Sequence, residues 1–346
     1  MKINCPLLIL ASFVPAFAIA DHTTVTLPTT VNGPNTSSLA NLPDAGETGF
    51  SIQYQRIDFE GIPTFEFDRA ADSEESLHGT DSIDSTSFNF TWGVNDRLTL
   101  GISIPRLERT GLVEAVHHHD IDEELHGDEE EHHDDDADHH EEEQESAIEY
   151  LGSAKGIGDA RIYANYQLWA SESSQASLLF GVKAPTGKDD ELSLDGHLLE
   201  AEFQPGSGSW DTMLGVAYST GVGAWTFDSN LLYSFVTEGS QVTDLGDIFN
   251  YNFAFSYPVN MVNGGSQSSW RVALLLEANG EWRERVNISG QDEKNSGGNL
   301  LYLSPGLSLS NGSWFGSLSF GKAIENLNGV QSQPENRLVL SFGRAF

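Results

Sequence analysis

Eight histidines, His117, His118, His119, His126, His132, His133, His139 and His140, crowd into 24 consecutive residues. Between Asp120 and Glu145 stand sixteen Asp or Glu residues and no Lys or Arg. Imidazole nitrogen and carboxylate oxygen are the ligand types of zinc, copper and nickel sites. The spacing defines no single coordination shell, because adjacent histidines cannot all turn to one ion. The chemistry expected is loose capture of several divalent ions, with all eight histidines as candidate ligands. The competing reading is a solvated charge run, since a segment this acidic buries too little apolar surface to offset its ordering entropy. A thiolate site is excluded in the mature chain, because the only cysteine, Cys5, lies in a segment read below as a signal peptide.

The elements that must carry this segment alternate with period two, the signature of strands with one apolar face. Phe50, Ile52 and Tyr54 open the first; Phe88, Phe90, Trp92 and Val94 mark the second. Leu98 to Ile104 follow at once across an Asn95-Asp96 turn. Further strands are expected around Ile162, Leu178, Leu214, Trp225, Phe253, Leu274, Leu301 to Leu309, Leu318 and Leu340, twelve in all, with the Leu301 segment ambiguous in parity. Short links near Asn95, Ser171, Thr220, Pro258 and Asn311 alternate with long ones, the longest spanning Arg106 to Gly156. That alternation fits an all-β, transmembrane, up-and-down antiparallel barrel with short periplasmic turns and long extracellular loops. Trp92, Trp225, Tyr257, Trp270, Trp314 and Phe346 would fall at one set of strand ends, with Trp210 and Trp282 at the other, as two interfacial aromatic belts require.

If the apolar parity faces lipid, the opposite parity lines the lumen. Asp159, Arg161, Asn165, Lys183, Asp211, Asp228, Arg271, Glu277 and Glu281 are the lumen-lining residues expected on that ground. A twelve-stranded barrel lies between the filled interior of eight strands and the aqueous channel of sixteen, so these residues either line a narrow water path or knit a plug of side chains.

Lys2, an apolar run from Leu7 to Ile19 and the small-x-small stretch Ala18-Ile19-Ala20 read as a signal peptide over residues 1–20. Residues 21–48 read as a flexible periplasmic leader and 49–346 as the barrel. The formal charge of −35 repels nucleic acid and favours cations. The setting expected is the outer membrane of a Gram-negative bacterium, with its lipid as solvent for the apolar face.

Two resemblances add to this reading. The terminal strand, ending on Phe346, resembles the signal that outer-membrane barrels present to their assembly machinery, although Arg344 stands where that signal usually has an apolar residue. Lys155-Gly-Ile-Gly-Asp159, Gly181-Val-Lys-Ala-Pro-Thr-Gly187 and Gly206-Ser-Gly-Ser-Trp-Asp211, in that order, resemble the outer-membrane family named for the MetA pathway of phenol degradation. The resemblance implies a β-barrel and passage of small molecules, and it does not license phenol as substrate. Turn chemistry is the expected role of the motif glycines and aspartates, ahead of ligand contact.

A conduit or transporter for small molecules or metal ions is therefore expected, with no cofactor beyond loosely bound divalent metal. A metal-binding surface barrel without transport is the alternative. A hydrolase would need a His beside a Ser on the barrel wall. His22, His78 and His197 fall instead in the leader or in loops, and only His197 with Asp195 offers a loop-borne pair, so no enzyme is expected.

Overall fold

The computed structural model describes residues 44–73, 77–115, 148–262, 270–311, 313–324 and 330–346. Its elements, in chain order, are β1 (Thr48–Glu60), α1 (Thr64–Ser73), β2 (His78–Gly79), β3 (Ser82–Asn95), β4 (Leu98–Ala115), β5 (Ile148–Ile157) and β6 (Ala160–Ala170). Then come β7 (Ser174–Ala184), β8 (Asp211–Val222), β9 (Trp225–Phe235), β10 (Thr243–Asp244), β11 (Ile248–Val262) and β12 (Trp270–Arg283). The last are β13 (Asn287–Ile288), β14 (Gln291–Asp292), β15 (Gly298–Ser310), β16 (Trp314–Ala323) and β17 (Gln333–Ala345). Among the described residues no helix is long and apolar enough to cross a membrane.

Twelve of these strands form a closed ring in the order β1, β3, β4, β6, β7, β8, β9, β11, β12, β15, β16, β17, and every neighbour is antiparallel. The ring shuts where β17 pairs with β1, from Gly49 opposite Ala345 to Glu60 opposite Gln333. A closed ring satisfies every ladder hydrogen bond internally, which is the condition for strands to cross hydrocarbon. The twelve-strand expectation holds. The ambiguous Leu301–Leu309 segment is β15, with Leu303, Leu307 and Leu309 outward and Tyr302 and Ser304 buried inward.

The two faces obey the parity read from the sequence. Phe88, Phe90, Val216, Leu276, Leu340 and Phe342 point outward and are exposed, a continuous apolar surface that needs lipid. Ser51, Gln53, Ser87, Asn89, Ser177, Asn230 and Ser319 point inward and are buried. Trp92, Trp225, Trp314 and Phe346 are exposed at the short-turn rim, and Trp210 and Trp282 at the long-loop rim. Arg344, on the apolar parity, lies 5.0 Å over the Trp314 ring and 4.7 Å over that of Phe346. Cation–π contact at the interface explains how a charge stands there.

Two boundaries differ from expectation. The first strand begins at Thr48, one residue early. The loop expected from Arg106 to Gly156 is shorter, because β4 runs on to Ala115 and β5 pairs with it from Ile148. The extended hairpin has apolar residues to bury on both faces: Leu112, Leu151 and Ala154 pack on Leu199 and Phe203. Ala115 packs with Phe67, Ala70 and Leu77, with Val113, Ile148 and Val330 alongside. The segment Gly61–Phe67 leads into α1. Residues 1–20, read above as a signal peptide, residues 21–43 of the segment read as a leader, and the eight clustered histidines lie outside the described residues.

Candidate functional site

Period-two alternation puts Ser207, Ser209 and Asp211 on one side of the chain as it enters β8. The same alternation on β7 turns Lys183 inward, and the break between β5 and β6 places Asp159 opposite. These residues meet in a buried cluster. The Asp159 carboxylate accepts from the Gly187 N–H at 2.9 Å, from the Ser207 N–H at 2.9 Å and from the Ser207 hydroxyl at 2.7 Å. The Lys183 ammonium lies 3.2 Å from Asp159 and 2.6 Å from Asp211, and donates to Ser207 and to Ser209 at 3.1 Å. Ser209 donates to Asp211 at 2.9 Å.

The three segments that carry the family resemblance thus converge on one knot. Its effect is to tie both ends of residues 185–210, the β7–β8 connection, to Asp159 and Lys183 at the long-loop rim. Residues 201–207 of that connection are buried, and Phe203 is 0% exposed. Gly187 and Gly206 make the crossing possible: a Cβ on Gly206 would lie 2.6 Å from the Gly187 Cα. Gly206→Ala is expected to force the two backbones apart at a cost of about 1–3 kcal/mol. It should speed protease cleavage within 185–210, whereas Gly61→Ala, with open space around it, should not. Equal resistance in both variants would show that the close approach is dispensable.

Charge balances around the knot. Arg161 faces Asp159, Asp211 and Glu281, and Arg283 donates to Glu281 at 2.9 Å. Three bases therefore meet three acids, which is how charges persist where water is scarce. Across the lumen a second network spans the wall. Asn252 donates to Asn230 at 3.0 Å, Asn279 to Asn252 at 3.1 Å, and Ser304 to Asn279 at 3.3 Å. Arg337 donates to Asn279 and Ser304, and its guanidinium lies 4.5 Å over the Tyr302 ring. Gly321, paired with Arg337, leaves the room this reach needs: a Cβ there would lie 2.6 Å from the Ser304 hydroxyl.

Asp159, Arg161, Asn165, Lys183, Asp211, Asp228, Glu277 and Glu281 all stand on the lumen side, and Glu277 is 0% exposed. Arg271 shares their parity but sits exposed at the short-turn end. His197 and Asp195 are exposed at a loop turn. Sequence reasoning missed Ser207 and Ser209, although their shared parity with Asp211 was the available signal. It also missed Arg337, which the strand pattern of β17 places inward next to Val339. At the long-loop rim a cleft of about 500 Å³ opens between Asp244, Gly246, Trp282, Arg285, Asn287 and Asp292.

A closed antiparallel ring with an apolar outer belt, polar inner face, short turns on one rim and long loops on the other defines a β-barrel of the outer-membrane type. The chain belongs to the family described as "Putative MetA-pathway of phenol degradation", whose model matches residues 129–329. No curated protein matches the chain. Solved structures similar to it include the β domain of the Bordetella autotransporter BrkA, at TM-score 0.42 and 8% identity over 87% of this chain and 100% of that one. LpxR from Salmonella typhimurium gives 0.40 and 8% over 85% and 99%, and a deletion mutant of TodX, titled a monoaromatic hydrocarbon channel, gives 0.39 and 10% over 88% and 91%.

Proposed function

We propose that the barrel is a gated passive conduit for small molecules across the outer membrane, closed by the 185–210 connection. What supports this reading is that both ends of the connection, at Gly187 and Ser207, bond the one carboxylate of Asp159, outside the strand ladder. Such a closure can be undone without breaking the ladder. The lumen behind it is polar, which suits solutes that keep part of their hydration. Together with the long-loop rim as the extracellular face, the segment holding His117 to His140 would then concentrate divalent cations at the entrance. Phe346, at the opposite rim, would meet the assembly machinery.

Single-channel recording of the refolded barrel, with and without zinc, tests this. Resolvable conductance steps that zinc alters are expected. An electrically silent barrel that still takes up zinc would favour a metal-binding surface protein without transport. Lipid or ester hydrolysis by the same preparation would sink both readings.

A further inference from the structure

His78, on β2, lies at the meeting point of three segments. Its Nδ1 is 2.6 Å from the Glu202 carboxylate. Its Nε2 is 3.3 Å from Glu200 and 4.0 Å from Glu114. The ring packs edge-on against Phe203 at 5.2 Å. Glu114 stands near the end of β4, and Glu200 and Glu202 belong to the β7–β8 connection. Ligand atoms of His78, Glu114 and Glu200 all lie within 4.8 Å of one another.

We propose that His78, Glu114 and Glu200 bind one divalent cation of the zinc type, with Glu202 orienting the imidazole, and that this ion staples the 199–207 segment to the extended hairpin. A carboxylate on Nδ1 fixes the tautomer that leaves the Nε2 lone pair free for a metal, the arrangement seen behind metal-bound histidines. Nε2 then faces two carboxylates, and small rotations of the glutamates bring all three atoms to the roughly 2.0–2.2 Å that zinc requires.

Charge accounting points the same way. The groups acting on Glu200 are His78, Glu202, Glu114 and Glu293, three carboxylates against one imidazole. Even a protonated ring leaves the cluster negative. The Glu200 Oε2 atom is shielded from solvent and receives no hydrogen bond. An independent pointer is the chain itself: three residues after Glu114 begins the segment with eight histidines and sixteen acids. Those residues are distinct from the ligands here, so the inference stands apart from the capture role proposed for them.

Zinc titration of the full chain decides it, in a background where the eight clustered histidines are replaced by serine. One tight equivalent should remain. His78→Ala should weaken it at least about 10-fold, and Glu202→Gln roughly 10-fold, as loss of an orienting partner does. Glu200→Gln keeps size and shape and serves where His78→Ala fails to give the heat-modifiable migration of a folded barrel. Zinc should slow backbone hydrogen exchange over 199–207 in the serine background and not in Glu200→Gln. Loss of all tight uptake with the eight histidines, or uptake indifferent to both His78 and Glu200, would overturn the site. Uptake without exchange protection would overturn the staple.

Discussion

Asp159→Ala is expected to leave the barrel folded and its mouth open. The substitution strands the backbone N–H groups of Gly187 and Ser207, each at about 1–3 kcal/mol when buried. It also takes one of two carboxylates from Lys183, and breaking a buried ion pair costs about 3–5 kcal/mol. Phe203 and Leu199 remain as apolar anchors, full burial of each such side chain contributing about 1.5–3 kcal/mol, and the Lys188 and Leu194 N–H groups keep their bonds to the Ile157 and Leu151 carbonyls. These terms do not add strictly; the polar loss falls on the two ends of the connection, at Gly187 and Ser207, and is expected to loosen it there. The ring of twelve strands does not depend on it. Larger conductance steps and rapid proteolysis between residues 185 and 210 are the expected readouts, with unchanged heat-modifiable migration. Asp159→Asn, which keeps one acceptor oxygen, should fall between. A variant with wild-type conductance and wild-type protease resistance would show that Asp159 does not hold the mouth.

Arg337→Met should produce the largest loss of stability of the wall itself. The guanidinium bonds Asn279 and Ser304, stacks on Tyr302 and faces the Glu277 and Glu281 carboxylates. Removing one partner of a buried charge group costs about 3–5 kcal/mol, whereas replacing both by apolar side chains is often close to neutral. The urea midpoint of the folded barrel should drop in Arg337→Met and recover in part in the double variant Arg337→Met with Glu277→Leu. A midpoint that stays put in the single variant would mean that the network across β9, β11, β12, β15 and β17 adds nothing to stability.

How much of this was legible beforehand follows from what period two encodes. Alternation fixes which face a residue takes, so strand number, the rim of six tryptophans and the inward parity of the set from Asp159 to Glu281 could be read directly, whereas Trp169, beside the irregularity of β6 at Gln167, could not. Alternation says nothing about who meets whom across the lumen. Asp159 and Ser207 are 48 positions apart, and their bond depends on the β7–β8 connection turning inward, for which no local pattern exists. His78 and Glu202 are 124 apart. The reach of β4 beyond Arg106 was missed because Gly111, with φ of 68°, and the two register shifts around Leu112 break the period of two, leaving the buried Leu112 and Ala115 three positions apart. Arg344 read as a defect in an apolar series because its partners, Trp314 and Phe346, are not both on its own strand.

The pairing of β1 with β17 also governs timing. Gly49 finds Ala345 only after nearly 300 residues of chain have been made and delivered, so this one pairing closes by far the longest loop in the ring. Closures of that kind form slowly, because distant ends must be brought together before any pairing rewards it. Until then β1 and β16 each present a row of unpaired amides, ready to template the wrong neighbour. A nascent chain of this protein is therefore at its most vulnerable when it is almost finished, and a chaperone that shields the first strand until the last arrives would act where the hazard is greatest.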